Sequence, residues 1–301
     1  MLKAIGMTVT IASGVLGNTI KNRFAKDNLK TGSDNTLYNL IVSIICAVIM
    51  ALGALIVPSA GSPFRVSGYT LLLAVCFSVL TAGAQLSSTV AFRHGPMALT
   101  TLITLCGMLV STTFGTVVWH ETVTVWQITG IVLMLISLVL VLNPKLNRQV
   151  TVTWVILSLV AMLFNGSLGV MQKIHGMSDF ADEKMGFLFY TFVFTSVLMA
   201  GMLLVDRCRG KHCTIRVGGR IGLSAVAVGI TTALQNIINL FLVAVMQSAV
   251  FFPICNGTRI LLLGLIGSLL FHEKMSKKQT FGFFLGLISV MLVAGVMTLF
   301  G

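Results

Sequence analysis

The sequence predicts an all-α integral membrane protein of ten transmembrane helices, built as two inverted five-helix repeats. Three observations lead to this fold class. The composition is too apolar for a water-soluble domain, the apolar runs match the thickness of a bilayer, and the second half of the chain repeats a motif of the first half. Together they predict a multi-pass protein of the cell membrane, with the lipid bilayer as its surroundings.

The composition alone separates this chain from soluble proteins. Charged residues make up 9% of its 301 residues and hydrophobic residues 56%, with a mean hydropathy of +0.99. A soluble domain carries roughly a quarter charged residues. The net charge of +12 does not indicate nucleic-acid binding, because the basic residues lie in short segments between apolar runs, where membrane topology places them.

The apolar runs have the length of membrane-spanning helices. Each is about 20 residues long, which at about 1.5 Å per residue spans a hydrocarbon core of roughly 30 Å. Proline-containing turns separate several of them, as at Arg93-His-Gly-Pro96 and Asn143-Pro144. The predicted helices cover residues 2–20, 34–57, 67–92, 97–119, 125–143, 151–174, 185–205, 217–246, 248–271 and 279–299.

A repeat appears when the chain is aligned with itself so that His120 pairs with His272, a shift that we call the repeat offset. Residues 120–141 then match residues 272–293 at ten of 22 positions without a gap, where roughly two or three identities are expected by chance in a Leu-rich background. We therefore expect two repeats, at residues 1–148 and 149–301. Because each contains five helices, an odd number, the second repeat enters the membrane from the opposite face. Inverted repeats of this kind are typical of alternating-access carriers.

The doubled motif resembles the EamA-like family of the drug/metabolite transporter superfamily. The matching residues surround the joint between the fourth and fifth helices of each half and close each first helix: Glu121, Thr124, Gln127 and Gly130; Glu273, Ser276, Gln279 and Gly282; Lys21 and Lys173. The resemblance implies a ten-helix carrier of small metabolites. It leaves the substrate open, because the superfamily handles amino acids, nucleotide precursors, sugars and drugs.

The joint motif also has a mechanical interpretation. Thr124-x-x-Gln127 and Ser276-x-x-Gln279 each fit a capping box, in which the two side chains satisfy free backbone N–H groups. Glu121 and Glu273 lie near those helix starts, where the helix dipole favours negative charge, so we expect them to be architectural. Gly282-x-x-x-Gly286 is a close-packing motif. It faces either the fifth helix or a second protomer, in a homodimer through helices 5 and 10.

Arg259 is the predicted centre of a substrate site. It lies about midway along the ninth helix, about 11 residues or ~17 Å from either end, too far to reach the headgroups easily. Asn256 lies one turn earlier on the same helical face. A planar guanidinium matches a carboxylate or phosphate through paired hydrogen bonds, which predicts an anionic substrate. In the alternative, a loop carboxylate or helix-end carbonyls neutralise Arg259, and its role is structural.

Other polar side chains within the helices are predicted to complete this site. Polar groups are costly in hydrocarbon, so they usually face the interior of the bundle or a wet cavity. The candidates are Gln235 and Asn239 on the eighth helix, Asn165 and Gln172 on the sixth, Gln85 on the third, Thr104 on the fourth, and Tyr190 on the seventh. Each polar candidate could instead tie one helix to another by a hydrogen bond.

These observations predict a secondary carrier of a small carboxylate- or phosphate-bearing metabolite, such as an amino acid, with no cofactor or metal. The alternatives are an exporter of neutral or amphipathic compounds, and a membrane receptor or assembly protein. An enzyme is not expected, since His120-Glu121 and His272-Glu273 lack the second histidine of a zinc-protease motif. Loop charge places both termini outside the cytoplasm, whereas ten-helix members of the resembled family usually have cytoplasmic termini.

Overall fold

The computed structural model describes residues 2–56, 65–94, 103–104, 106–142, 151–210, 213–214, 218–259, 261–262, 266 and 277–293, and these are all-helical apart from turns and short connections. The α-helices are α1 (Leu2–Asn28), α2 (Gly32–Ile56), α3 (Gly68–His94), α4 (Met108–Val118), α5 (Val125–Leu142), α6 (Val152–Gly176), α7 (Lys184–Cys208), α8 (Gly219–Val245), α9 (Ser248–Phe252) and α10 (Lys277–Val293). A 3₁₀ turn, Ala181–Glu183, precedes α7, and a π-helical turn, Pro253–Gly257, follows α9.

Five helical stretches are long and apolar enough to cross a membrane: Gly32–Gly53, Gly68–Ser88, Val152–Gly176, Ala181–Cys208 and Ile221–Val245. Shorter apolar helices cover Met108–Val118, Val125–Ser137 and Ser248–Gly257. The prediction of an all-α protein with helices suited to the bilayer is therefore confirmed for the part of the chain that the structure describes.

Most predicted helix ends lie within a few residues of the observed ones. The helix α3 is described as far as His94, two residues before Pro96, and α5 as far as Leu142, two residues before Pro144. The prediction for α1 was too short. This helix continues past Lys21 to Asn28, since the polar segment that follows the apolar run contains neither glycine nor proline.

Two helices predicted to be continuous are interrupted. In the fourth, Cys106 and Gly107 form a turn whose N–H groups donate to the carbonyl oxygens of Ile103 and Thr104, each at 3.1 Å. Bonding to the third preceding residue makes this turn tighter than an α-helix. In the ninth helix, the π turn begins at Pro253. Proline removes one donor from the helical ladder, and the wider π turn lies at that gap.

The chain forms two compact units. Unit 1 contains Met1–Gln85 and Met171–Ala244, and unit 2 contains Leu86–Val170 and Val245–Gly301. Each unit takes segments from both predicted repeats, so the compact units do not coincide with the sequence halves 1–148 and 149–301.

The core of unit 1 contains α2 and α7, which pack against each other. Buried side chains on α2 recur every four residues, at Tyr38, Val42, Cys46 and Met50, whereas Ile44, Val48 and Leu52 are about half exposed. A four-residue spacing places each set on one face of the helix. A helix that is apolar on both its packed and its exposed face is suited to lipid rather than water.

The core of unit 2 contains α5 and α10, which also pack against each other. The Ser137 hydroxyl donates to the Gly282 carbonyl oxygen at 2.6 Å, and a Cβ atom at Gly286 would lie 2.5 Å from the same hydroxyl oxygen. The two glycines therefore let α10 approach α5 closely. The Gly282-x-x-x-Gly286 face packs against the fifth helix of the same chain, which is one of the two predicted alternatives. The homodimer stays a prediction.

Candidate functional site

The joint between α4 and α5 holds the beginning of α9. The Thr124 N–H donates to Gln127 Oε1 at 2.9 Å and the Gln127 N–H donates to Thr124 Oγ1 at 3.3 Å, so the capping box predicted there is confirmed. Glu121 Oε2 accepts a hydrogen bond from the N–H of Ser248 at 2.7 Å. Its carboxylate thus caps α9, whereas the sequence indicated only its proximity to the start of α5. The second predicted box lies outside the described residues at Ser276, as does Glu273.

The site around Arg259 is built on the interruption of the ninth helix. We call residues Pro253–Arg259 the Arg259 segment. Arg259 follows the π turn and is only 6% exposed. Asn256, predicted to share its face, is half-buried within the π turn. The α-helical spacing behind that prediction does not apply there, because the π turn bonds to the fifth residue along the chain and widens the helix. Turns of this kind occur frequently at functional sites.

Glycine lets α5 pack closely against the Arg259 segment. A Cβ atom at Gly257 would collide with the side chain of Met134 on α5, its Sδ atom lying 2.7 Å away. Met134 is itself fully buried and contacts the Ser289 hydroxyl through its sulfur at 3.4 Å. The backbone that precedes Arg259 is therefore fixed by close packing on one side, which restricts where the guanidinium can reach.

Two further predicted residues of unit 2, Asn165 and Thr104, come together where α6 passes the turn before α4. The Asn165 side-chain amide donates to the Thr104 carbonyl oxygen at 3.2 Å. Ser111 on α4 donates to the Gly166 carbonyl oxygen at 2.7 Å. A Cβ atom at Gly107 would lie 2.7 Å from the Met162 carbonyl oxygen. The Asn165 amide thus joins two segments of the fold, which is the helix-tying alternative considered for it from the sequence.

The predicted amides of unit 1 lie on α6 and α8. Gln172 is 4% exposed and donates from Nε2 to Asn236 Oδ1 at 3.0 Å. Asn236 in turn donates to the Thr232 carbonyl oxygen at 2.9 Å. Gln235 and Asn239 on the same helix are half-buried. The buried Oδ1 of Asn239 accepts no hydrogen bond from the residues that the structure describes.

Sequence reasoning missed Asn236, the partner of Gln172. It selected the residues on either side of the correct position, Gln235 and Asn239, because their four-residue spacing marks a common face. Neighbouring residues on a helix point about 100° apart, and every one of the three is polar. The sequence therefore held no signal to show which amide faces α6.

The remaining candidates of unit 1 are Gln85 and Tyr190, both half-buried. The Tyr190 ring lies 5.2 Å from the Phe189 ring in an edge-to-face arrangement and 6.0 Å from the Phe194 ring. Tyr190 therefore belongs to an aromatic cluster on α7, while Gln85 is the last residue of the α3 segment that belongs to unit 1.

Carboxylates of unit 1 hold helix ends. Asp34 accepts hydrogen bonds from the N–H and the hydroxyl of Thr214, both at 2.7 Å. Asp206 accepts one from the Ser33 hydroxyl at 2.8 Å, and Glu183 accepts one from the Ser67 hydroxyl at 2.9 Å. These acidic side chains lie at helix ends, and each is anchored by a neighbouring element.

No known family model matches this chain, and no curated protein matches it. Its fold has been seen before. Solved structures of 28 chains are similar to it. One, described only as "Crystal structure of protein", superposes with a TM-score of 0.77 over 98% of this chain and 98% of its own length, at 13% sequence identity. At that identity the likeness shows the fold alone, so any function must be argued from the residues.

The chemistry of the Arg259 segment differs from that of the amides. A buried guanidinium presents five N–H donors in a rigid plane and keeps its charge. Amides donate and accept without charge and are shared among helices here. Of the predicted site residues, Arg259 is therefore the one whose charge complements that of a carboxylate or a phosphate group.

Proposed function

We propose that this protein is a secondary carrier, which moves a small carboxylate- or phosphate-bearing metabolite, such as an amino acid, across a cell membrane by alternating access. The proposal includes ten transmembrane helices in two inverted repeats, as in the EamA-like family that the sequence resembles. The observation that carries it is the antiparallel pairing, inside each unit, of helices that correspond to each other at the repeat offset.

Helix bounds recur at the offset found in the sequence. The repeat offset carries Gly32, where α2 begins, onto Lys184, where α7 begins. It carries Gly68, where α3 begins, to within a single residue of Gly219, where α8 begins. This recurrence supports a structural repeat of the length that the sequence alignment indicates.

The paired helices run in opposite directions. Ser33 at the start of α2 bonds to Asp206 near the end of α7. On α5 and α10, Met134 contacts Ser289 while Ser137, further along α5, contacts Gly282, earlier on α10. If the repeats were related by an axis along the membrane normal, corresponding helices would run parallel. In inverted repeats, corresponding helices run antiparallel. The reversal in both units supports the inverted arrangement.

Interrupted helices support the position of the site. The turn at Cys106–Gly107 and the π turn at Pro253–Gly257 fall at nearly corresponding places of the two repeats, since the repeat offset aligns Gly107 with Arg259. Helices broken at corresponding positions commonly form the substrate site in inverted-repeat carriers. The two aligned positions carry glycine in one repeat and arginine in the other, so the proposed site is asymmetric, with its charge on the ninth helix.

The test is uptake by proteoliposomes of an amino acid, a dicarboxylate, a phosphate monoester and an uncharged sugar. Arg259→Gln should reduce the transport of an anionic substrate by about 10- to 100-fold, since a hydrogen bond to a charged group contributes about 1.5–3 kcal/mol. Arg259→Lys should give an intermediate rate, because it keeps the charge without the planar pair of donors. The matched control is Arg207→Gln, at an exposed arginine in the last turn of α7, which should transport like the wild type.

The outcomes separate the alternatives. Equal transport of anions by wild type and Arg259→Gln would contradict recognition by Arg259, while leaving a carrier. Transport of the uncharged compound alone, unaffected by Arg259→Gln, would favour the exporter of neutral compounds. No transport of any compound by a correctly folded protein would favour the receptor or assembly role.

A further inference from the structure

His175, near the end of α6, is a buried titratable side chain in unit 1 that the proposed substrate site does not use. It is 0% exposed, and its ring stacks on the Phe187 ring with centroids 4.3 Å apart and planes inclined by 16°. Its Nδ1 atom is buried and makes no hydrogen bond with the residues that the structure describes. A buried ionisable group in a membrane helix is costly and often marks a proton pathway.

Two hydroxyl groups connect His175 to a carboxylate. His175 Nε2 lies 3.4 Å from Thr70 Oγ1, Thr70 Oγ1 lies 3.1 Å from Ser67 Oγ, and Ser67 Oγ lies 2.9 Å from Glu183 Oε2. We call these four residues the His175 chain. The N–H of Ser67 also donates to both Glu183 oxygens at 3.0 Å. The carboxylate is thereby fixed at the outer end of the chain, within the 3₁₀ turn that precedes α7.

We propose that His175 is the proton-binding site that couples transport to a pH gradient, loaded from Glu183 through Ser67 and Thr70. This inference rests on the proposed carrier function and adds a coupling ion to it. A single hydrogen bond to Thr70 would be enough for a purely structural histidine. The continuous line of donors and acceptors from a fully buried imidazole to a half-buried carboxylate is what points to proton transfer.

The transfer balances with one proton and no other reactant. Glu183, protonated from water, gives its proton to Ser67 Oγ, Ser67 gives its own to Thr70 Oγ1, and Thr70 gives its own to His175 Nε2. The result is an imidazolium and a carboxylate at the two ends of the chain. Both hydroxyls can donate in either direction. The chain then rests with its hydrogen bonds reversed, and Ser67 donates to the Glu183 carboxylate.

The surroundings of His175 include charges of both signs. Burial of the ring opposes the imidazolium, whereas the Glu183 carboxylate and the C-terminal end of α6 favour it, and the face of Phe187 can stack on a cation. Lys184 on α7 opposes it, as does the buried Lys173 on α6. Thr70 is the member of the His175 chain that lies on α3. Arg65 is exposed and lies two residues before Ser67. The only charged residue of α8 is Arg220, which lies in the first turn of that helix. Opposing charges of this kind allow a proton to be bound and released.

The test uses proteoliposomes, a one-unit pH gradient and whichever compound of the panel the wild type moves. One proton per substrate supports about a tenfold concentration ratio under that gradient. His175→Gln and Thr70→Val should abolish this accumulation but still exchange labelled for unlabelled compound. Thr70→Ser, which keeps the hydroxyl, should accumulate like the wild type. Thr81→Val, which removes a hydroxyl that donates to the Phe77 carbonyl oxygen of the same helix, should do the same.

Accumulation by His175→Gln that follows the pH gradient would overturn the inference, as would wild-type transport that ignores the gradient. If the wild type moves no compound, the proposed function has failed and His175 is tested by itself. Histidine labelled with carbon-13 is followed by NMR in lipid nanodiscs, and His175 is assigned from its loss in His175→Gln. A resonance that titrates reversibly supports a proton site. One that stays unchanged over the whole pH range of the folded protein overturns it.

Discussion

Unit 1 and unit 2 both bring helices together at glycines, as Gly229 does against Ile45 in unit 1, but the polar bonds between their helices differ. In unit 1, polar side chains reach from helix to helix: Lys21 to Asn39 at 3.0 Å, Tyr38 to Ser224 at 2.9 Å, and Gln172 to Asn236 at 3.0 Å. In unit 2, polar side chains bond to the backbone of a neighbouring segment: Ser111 to the Gly166 carbonyl oxygen at 2.7 Å, Ser137 to the Gly282 carbonyl oxygen at 2.6 Å, and Glu121 to the Ser248 N–H at 2.7 Å. Both replace the hydrophobic effect, which gives no drive for helix association in lipid.

The difference is visible in the predicted amides. The amides of unit 1 bond within that unit, because Gln172 donates to Asn236 Oδ1 and Asn236 donates to the Thr232 carbonyl oxygen. The glycine contacts of unit 2 leave no room for side chains but fix the backbone, and Arg259 follows such a contact at Gly257. A charged side chain that binds a ligand must be held in position, and a closely packed backbone holds it there.

The largest effect is expected at the closest backbone contact of unit 2. A Cβ atom added by Gly166→Ala would collide with the Gly107 carbonyl oxygen and lie 2.6 Å from Val110 Cβ. Because the first neighbour is backbone, it cannot rotate away, and we expect a loss of about 3 kcal/mol in the free energy of unfolding. The measurement is reversible unfolding in mixed micelles. Gly201→Ala on α7, where nothing lies within 4 Å, is the control and should show no loss.

The next effect concerns the cap that Glu121 provides for α9. Glu121→Ala should cost about 2 kcal/mol in the free energy of unfolding, because the Ser248 N–H loses a charged acceptor. Glu121→Gln keeps an acceptor and should cost about half as much. The exposed Asp182 offers a control as Asp182→Asn, with a change near zero. A variant Glu121→Gln of unchanged stability that loses pH-driven transport would instead assign Glu121 to proton coupling.

The sequence was most informative where local chemistry decides the structure. Apolar length predicted α7 at 185–205, and the helix covers Lys184–Cys208. The Thr124–Gln127 box was predicted because it involves only neighbouring residues. The π turn was not predicted, since Pro253 shows that a backbone bond is lost but not whether the helix tightens, kinks or widens there.

The candidate site depended on contacts that periodicity does not encode. Asn165 and Gln172, seven residues apart on α6, share a face in an α-helix, and that much the spacing predicts. Yet Asn165 bonds to Thr104 in unit 2 and Gln172 bonds to Asn236 in unit 1. The helix α6 changes partners between them, at the unit boundary after Val170. Only tertiary packing determines where such a change occurs, so spacing alone could not separate the two roles.

A smaller effect is expected for the amide pair of unit 1. A double-mutant cycle of Gln172→Leu and Asn236→Leu should give a coupling energy of about 0.6 kcal/mol, a typical value for a hydrogen bond between membrane helices. The control cycle pairs Gln172→Leu with Asn239→Leu, and its coupling should be near zero. Equal coupling in the two cycles would show that the Gln172–Asn236 bond does not hold α6 to α8, and that unit 1 relies on packing as unit 2 does.

The smallest effect is electrostatic and lies outside the membrane-spanning helices of unit 1. Partial burial, with the nearby carboxylates of Asp34 and Asp206, raises the pKa of the Cys213 thiol. Since the thiolate is the nucleophile, Cys213 should react slowly with maleimide at neutral pH and faster as the pH rises towards that pKa. In a Cys208→Ser background, Asp206→Asn removes a negative charge, lowers the pKa and should speed the reaction at neutral pH by about two- to fivefold. Asp182→Asn should leave the rate unchanged. High salt should reduce the difference in reaction rate between Asp206→Asn and its parent, because screening weakens interactions between charges near the surface. A rate difference that survives high salt would instead assign the slow reaction to burial of the thiol.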